Sequence, residues 1–315
     1  MKRIFSLVFL LAGFAFFLGT SSAQKTEVAR AADSAMYVIT DKGCFAVYPE
    51  HDPEFLELRD SIDKRHIPAL PIGERIAAMG KLLLDRPYFD RTLETTTDEG
   101  ETVCNLLGFD CVTFFETSWA LATTFKKYPM PGIPQLKGEL ENHRYRDGKR
   151  NGYQSRLHYT SDYFYDNARR GNLKEMTKSI GGKDAILEKK QVNFMTKHAK
   201  LYKQLRNDSV MVQKMDSIEK ILASRGGFYY IPKEDVEDIE KGIRTGDLIG
   251  ITTSIPGIDC SHTGIAIREK DGKVHFMHAS STSQKVIISP MTLAEYLEGN
   301  AKQTGIMIYR PVEVK

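Results

Sequence analysis

The chain has 315 residues, a formal net charge of +3 and four cysteines. So small a charge gives no case for nucleic acid or a strongly acidic partner. Four cysteines do not make a disulfide-dense scaffold, so the fold must stand on an apolar core, in one large domain or two.

Met1-Lys2-Arg3 precede an apolar run from Ile4 to Leu18 and then Gly19-Thr20-Ser21-Ser22-Ala23. This is the pattern of a secretory signal over residues 1–23, cut after Ala23. The run is shorter than the ~20 residues of a membrane span. No cysteine follows the cut until Cys44, which argues against a lipoprotein anchor. A single catalytic domain over residues 24–315 is expected.

Residues 37–40 read as a strand and Pro53–Lys64 as a short helix. Residues 71–84 read as a helix, with Ile72, Ile76, Met79 and Leu83 at 3–4 spacing. Arg86-Pro87-Tyr88 stops it. Residues 90–105 are polar and acidic and read as a surface loop. A helix then runs from Cys111 to Lys126 on a stripe of Val112, Phe115, Trp119 and Ala122, until Pro129, Pro131 and Pro134 end it.

Residues 138–153 are charged and loop-like, and 159–170 are aromatic-rich and helical. Over 184–224 Phe194, His198, Leu201, Leu205, Met211, Met215, Ile218 and Leu222 give a second amphipathic helical region. Together these make a helical insertion over about 135–230. Residues 248–252, 264–267, 274–278, 286–288 and 305–309 read as strands between turns. Helices first and an antiparallel sheet after them predict an α+β fold.

The chemistry points to Cys111, in Gly108-Phe109-Asp110-Cys111-Val112-Thr113. Asp110 is a good N-cap, and a thiol at the positive end of a helix is expected to favour thiolate. A thiolate is the nucleophile of cysteine hydrolases. A buried structural thiol is the bland alternative. His262 opens a strand whose next small residues, Gly264 and Ala266, would admit another element, and the Cys111 helix is expected over them.

The turn Glu269-Lys270-Asp271-Gly272-Lys273 fixes a hairpin. With Gly272 left-handed after Lys270-Asp271, Glu269 pairs with Lys273 and Gly264 falls opposite His278. His262 and His278 then share a face as diagonal neighbours, ~7–8 Å apart. A two-residue loop at Asp271-Gly272 would flip His278 to the other face.

A metal could draw on Cys260, His262, His275 and His278, but His275 and His278 point to opposite faces of one strand. Cys104 and Cys260 read as ordinary thiols. With Cys111 free, at most one disulfide remains. Tyr88 is either a core aromatic or a phenol helping the Cys111 backbone N–H to stabilise an oxyanion. Arg156, Tyr159 and Asp162 either bind a charged, sugar-bearing ligand or form surface pairs.

Pro87-Tyr88, Gly108 to Cys111, Gly246-Asp247-Leu248, His262 to Ile265 and His278-Ala279 together resemble the NlpC/p60 superfamily of papain-like cysteine hydrolases, which act on bacterial cell-wall peptides. Asp110-Cys111-Val112-Thr113-Phe114 with Glu116, Thr92-Leu93-Glu94 and Ser155-Arg156-Leu157-His158-Tyr159 are similar to its N-acetylmuramoyl-L-alanine amidase-like branch. The resemblance implies a papain-like core, Cys111 as nucleophile, His262 as base and His278 as third member. It implies cleavage of the amide between N-acetylmuramic acid and L-Ala, with anhydro-muramic fragments as plausible substrates.

No cofactor or metal is implied. Partners are peptidoglycan fragments rather than nucleic acid or membrane, and a monomer is expected. With the export signal, this places the chain in the periplasm of a Gram-negative bacterium. Val112 and Thr113 replace the Ser and Gly common after the superfamily's Cys, and Thr263 replaces a common Val. These departures favour the amidase branch over γ-D-Glu–diamino-acid endopeptidase action. A wall-binding module without catalysis is the rival from another class.

Overall fold

The computed structural model describes residues 27–30, 36–40, 43–47, 53–94 and 99–314, the first three segments as backbone alone. The expected export signal lies outside the described residues, as does the side chain of Cys44.

The backbone of β1 (Glu27–Arg30), β2 (Met36–Thr40) and β3 (Gly43–Val47) forms an antiparallel meander. Five helices follow: α1 (Pro53–Lys64), α2 (Ile72–Leu82), α3 (Cys111–Lys127), α4 (Ile133–Arg144) and α5 (Thr160–Arg169). Short elements come next: β4 (Leu173–Glu175), α6 (Thr177–Gly181), β5 (Ile186–Glu188) and α7 (Phe194–Lys197). Then come α8 (Ser209–Ser224), β6 (Phe228–Pro232) and α9 (Val236–Ile239). The chain closes with β7 (Leu248–Thr253), β8 (Cys260–Arg268), β9 (Val274–Ser280), β10 (Lys285–Thr292), α10 (Leu293–Glu298) and β11 (Gln303–Pro311).

The eight-stranded sheet runs β10-β9-β8-β7-β11-β6-β5, with β4 beside β11. Its pairings are antiparallel. With the helices before it, this is an α+β fold. Alternation along each strand divides the sheet's side chains between two cores. Ile265, Ile267, Met277, Ala279 and Met307 join α2 and α3 on one face. Ala266, Phe276, Ile306 and Ile308 join α10 residues Leu293 and Leu297 on the other.

Every residue of α3 from Thr113 to Phe125 is buried. A helix apolar on most sides belongs inside a fold rather than on it, and α2, α4, β8 and β9 pack against this one. Its one buried carboxylate, Glu116, accepts from Arg144 Nε at 2.9 Å, and Arg144 Nη1 donates to the Val103 carbonyl at 2.6 Å. Burial raises the Glu116 carboxyl above its ordinary range, and Arg144 opposes that rise.

Several expectations need correction. Residues 138–144 are helical, because Gly132 and Pro134 start α4 beyond the proline cluster. The stretch 184–224 is not one helical region. Its first half holds β5 and the single turn α7, and only α8 is long. β6 was not expected.

Residues 90–105 are not a plain surface loop. Thr92 is 1% exposed and Glu99 5%, drawn inward by partners far along the chain. The face expected to receive the Cys111 helix is also taken. A Cβ on Gly264 would meet the Phe276 ring at 2.7 Å, so Phe276 covers that side. Helix α3 lies on the Ile265 and Ile267 face instead.

Replacing Arg144 with Met leaves the Glu116 carboxylate buried without its partner. A loss of roughly 3–5 kcal/mol is expected in urea unfolding. The double change Glu116→Leu with Arg144→Met should recover most of it.

Candidate active site

Helix α3 begins at Cys111 because Asp110 caps it. Asp110 Oδ1 accepts the Thr113 N–H at 2.8 Å, and Thr113 Oγ1 accepts the Asp110 N–H at 3.1 Å. This reciprocal box satisfies two orphan donors at the helix start. The second oxygen, Oδ2, accepts from Thr92 Oγ1 at 2.8 Å and Thr92 N at 3.2 Å. One carboxylate thus fixes both the helix start and the loop over it.

The Cys111 thiol lies against Thr263 of β8, next to His262 in the chain. Its environment reverses the simple helix-start expectation. Burial pushes the thiol up to about 12, the Asp110 carboxylate adds to the rise, and hydrogen bonding from Thr263 only partly offsets it. At rest Cys111 is a thiol. The helix terminus is outweighed by desolvation and by the anion that caps it.

The β8–β9 hairpin has the register read from its turn. Glu269 N donates to the Lys273 carbonyl at 3.0 Å, Gly272 has φ 79°, and Ile265 pairs with Met277. Gly264 therefore falls opposite His278. A register shift opposite Ile251 and Thr252 leaves Ser261 as a bulge just before His262. Bulges sharpen local twist and re-aim neighbouring side chains.

The two imidazoles meet: His262 Nε2 lies 2.7 Å from His278 Nδ1, with the rings at 88°. Desolvation lowers His262 to about 4. His278, 1% exposed, falls well below its ordinary value, by desolvation first and then by His262. The resting site thus holds a neutral thiol and two neutral imidazoles. If His262 Nδ1 is to accept a proton, its own proton sits on Nε2 and is donated to His278 Nδ1. His278 then carries its proton on Nε2, an atom buried without a hydrogen-bond partner.

Tyr88 flanks the thiol. Its N–H donates to the Gln284 carbonyl at 2.9 Å, and it bridges to Phe109 just before Asp110. Burial and then the Cys111 and Asp110 charges raise its phenol, keeping it a donor.

Arg156, Tyr159 and Asp162 are placed differently, each enclosed among protein partners. Arg156 is 4% exposed, paired with Glu94 and Glu99, and donates to the Leu93 carbonyl at 2.8 Å. The Tyr159 hydroxyl donates to Glu219 at 2.7 Å and accepts the Met195 N–H at 2.8 Å. Asp162 accepts from Arg146 at 3.1 Å and faces Arg225 at 2.8 Å. Their polar atoms brace the framework, and Arg156 does so at the loop that reaches Asp110.

Among the described residues no cluster of three metal-ligating side chains forms. His275 bonds the Ser289 carbonyl and Asp271, away from the imidazole pair. Cys104 and Cys260 are buried, and the Cys260 thiol, like that of Cys111, is free. Sequence reasoning missed Tyr296 of α10, whose ring centroid is 5.1 Å from that of His278. The Thr292–Glu295 capping box was the signal that could have revealed its helix.

A buried helix opening on a capped cysteine, laid against an antiparallel sheet with a paired imidazole, defines the protein's class as α+β. Residues 78–306 match the model of the N-acetylmuramoyl-L-alanine amidase-like family. The chain belongs to that family and is an amidase of the peptidoglycan-hydrolase type.

An N-acetylmuramoyl-L-alanine amidase from Bacteroides uniformis is 37% identical, with a TM-score of 0.70, covering 77% of this chain and 99% of that one. A Bacteroides fragilis protein provisionally named a xylanase is 36% identical, with a TM-score of 0.67, covering 74% and 99%. A Legionella pneumophila protein, 22% identical with a TM-score of 0.60 over 82% and 94%, shares the fold. No curated protein matches the chain.

A raised thiol predicts slow alkylation. Iodoacetamide should modify Cys111 more slowly than a free cysteine at pH 7, with a rate still climbing above pH 9. A plateau near pH 7, read by mass spectrometry of the labelled peptide, would mean a pre-formed thiolate.

Proposed function

We propose that the protein is a cell-wall amidase of the NlpC/p60 type with a papain-like core. On this reading it hydrolyses the amide joining N-acetylmuramic acid to L-Ala through Cys111, His262 and His278. The observations that carry this reading are the 2.7 Å bond from His262 to His278 and the contact of the Cys111 thiol with Thr263, the residue after His262, in a chain of this family. The B. uniformis relative named for the same activity supports the choice of bond.

Neutral resting partners set the order of events. His262 Nδ1 takes the Cys111 proton as sulfur attacks the lactyl carbonyl of muramic acid. The developing imidazolium is oriented by its Nε2–H bond to His278. The Cys111 backbone N–H, with the Tyr88 phenol, holds the oxyanion. Collapse breaks the C–N bond, and His262 gives its proton to the departing L-Ala amine. A thioester remains on Cys111. Water, deprotonated by His262, then releases the muramic acid carboxylate and restores the thiol. His262 carries one proton from sulfur to the amine and one from water back to sulfur, and the carboxyl proton of the product is lost to solvent. The motifs and the signal-like start favour action on muropeptides, with anhydro-muramic ends among them, in a Gram-negative periplasm.

Mass spectrometry of products from a defined muropeptide tests the reading. Release of the intact stem peptide and the free muramic sugar is expected, and a stem split between D-Glu and the diamino acid would sink it. Cys111→Ala and His262→Ala should each lower kcat by about 10³-fold or more. A wild-type rate in Cys111→Ala would leave only a binding module. Since His262 is neutral above about 4, kcat/KM should fall only as pH drops through that region.

A further inference from the structure

Tyr296 stands on α10, outside every motif that marks the site. Thr292 caps this helix, its Oγ1 accepting the Glu295 N–H at 3.3 Å. Leu293 and Leu297, 1% and 0% exposed, fasten it to the core behind β9 and β11. Tyr296 sits between those anchors, and four rings gather there.

Its centroid is 5.1 Å from His278, at an interplanar angle of 67°, and 6.4 Å from His262, at 25°. Phe276 lies 5.3 Å from Tyr296, 4.8 Å from His278 and 5.6 Å from His262. Phe276 and His278 are buried, while Tyr296 and His262 are half-buried. Tyr296 therefore lies on the solvent side of the group, together with His262.

We propose that Tyr296 is a positioning residue whose ring closes an aromatic cage around the His262–His278 pair, excluding water and fixing the orientation of both imidazoles. The proposal rests on the reading that this pair serves Cys111. Among the described residues no carboxylate is hydrogen-bonded to or ion-paired with either imidazole, and the two bond one another. The titratable side chains acting here among those residues are Cys111, Tyr296 and the imidazoles themselves. Burial, and next the Cys111 charge, push the Tyr296 phenol up to about 12, so it stays neutral beside them. With no anion to orient the pair, shape and dryness have to do so. Water entering the cage would also solvate an imidazolium and favour the charged form.

The test is the pH titration of the His262 ring, followed by nitrogen NMR in the Cys111→Ala background, with kcat/KM profiles of the active enzymes beside it. Tyr296→Ala should move the His262 titration up by about 1–2 pH units toward that of a free imidazole. The acid limb of kcat/KM should move with it, and kcat at pH 7 should fall about tenfold while KM changes little. Tyr296→Phe, which keeps the ring, should hold the wild-type titration.

An unmoved titration in Tyr296→Ala overturns the proposal, even where activity is lost. So does a Phe variant that shifts as far as Ala. If the Ala variant does not fold, Tyr296→Leu is read in its place by the same criteria. The NMR titration needs no turnover, so its failure is distinct from failure of the amidase reading.

Discussion

The Asp110 carboxylate is the constraint on which the site depends. Its two oxygens do different jobs. One completes the cap of α3 through Thr113, and the other gathers Thr92 from a loop 18 residues upstream. Capping alone is worth about 1 kcal/mol. Here it also decides where the sulfur sits, because Cys111 is the first residue after the cap. The same anion works against ionisation of the thiol it positions. Placement and charge are thus set in opposite directions by one group. The chemistry proposed for the site, proton removal concerted with attack, is the one that tolerates this opposition.

The sheet carries the other half of the site in a similarly economical way. Both of its faces are covered, so a one-residue slip in β9 would bury the wrong side chains everywhere. Gly272 at φ 79° sets the turn, and the register that results brings His278 to His262. Because the same register builds the core, the imidazole pair cannot be misaligned without unfolding the sheet around it.

Much of this was legible in the sequence where it depends on local rules. The strand positions of β7 to β9, the helix start at Cys111 and the shared face of His262 and His278 follow from alternation, capping and turn geometry. What was not legible depends on distance. Nothing near Arg156 reveals that its partners are Glu94 and Glu99, some 62 residues away in the first case, so the residue reads equally well as a ligand contact. The thiol misleads for the same reason: a helix start is local, whereas desolvation is supplied by elements folded over it. Phe276 filling the space beside Gly264, and Tyr296 behind a cap with no chemical motif, are packing outcomes without a pattern of their own.

The Arg156 clasp has a consequence for what a distant change can do. Glu94 and Glu99 both end on one guanidinium, which also holds the Leu93 carbonyl. Leu93 adjoins Thr92, whose hydroxyl and N–H both reach Asp110. The position of the sulfur is thus tied to an arginine from another part of the chain. Damage to the clasp would act on Cys111 from a distance, through the cap.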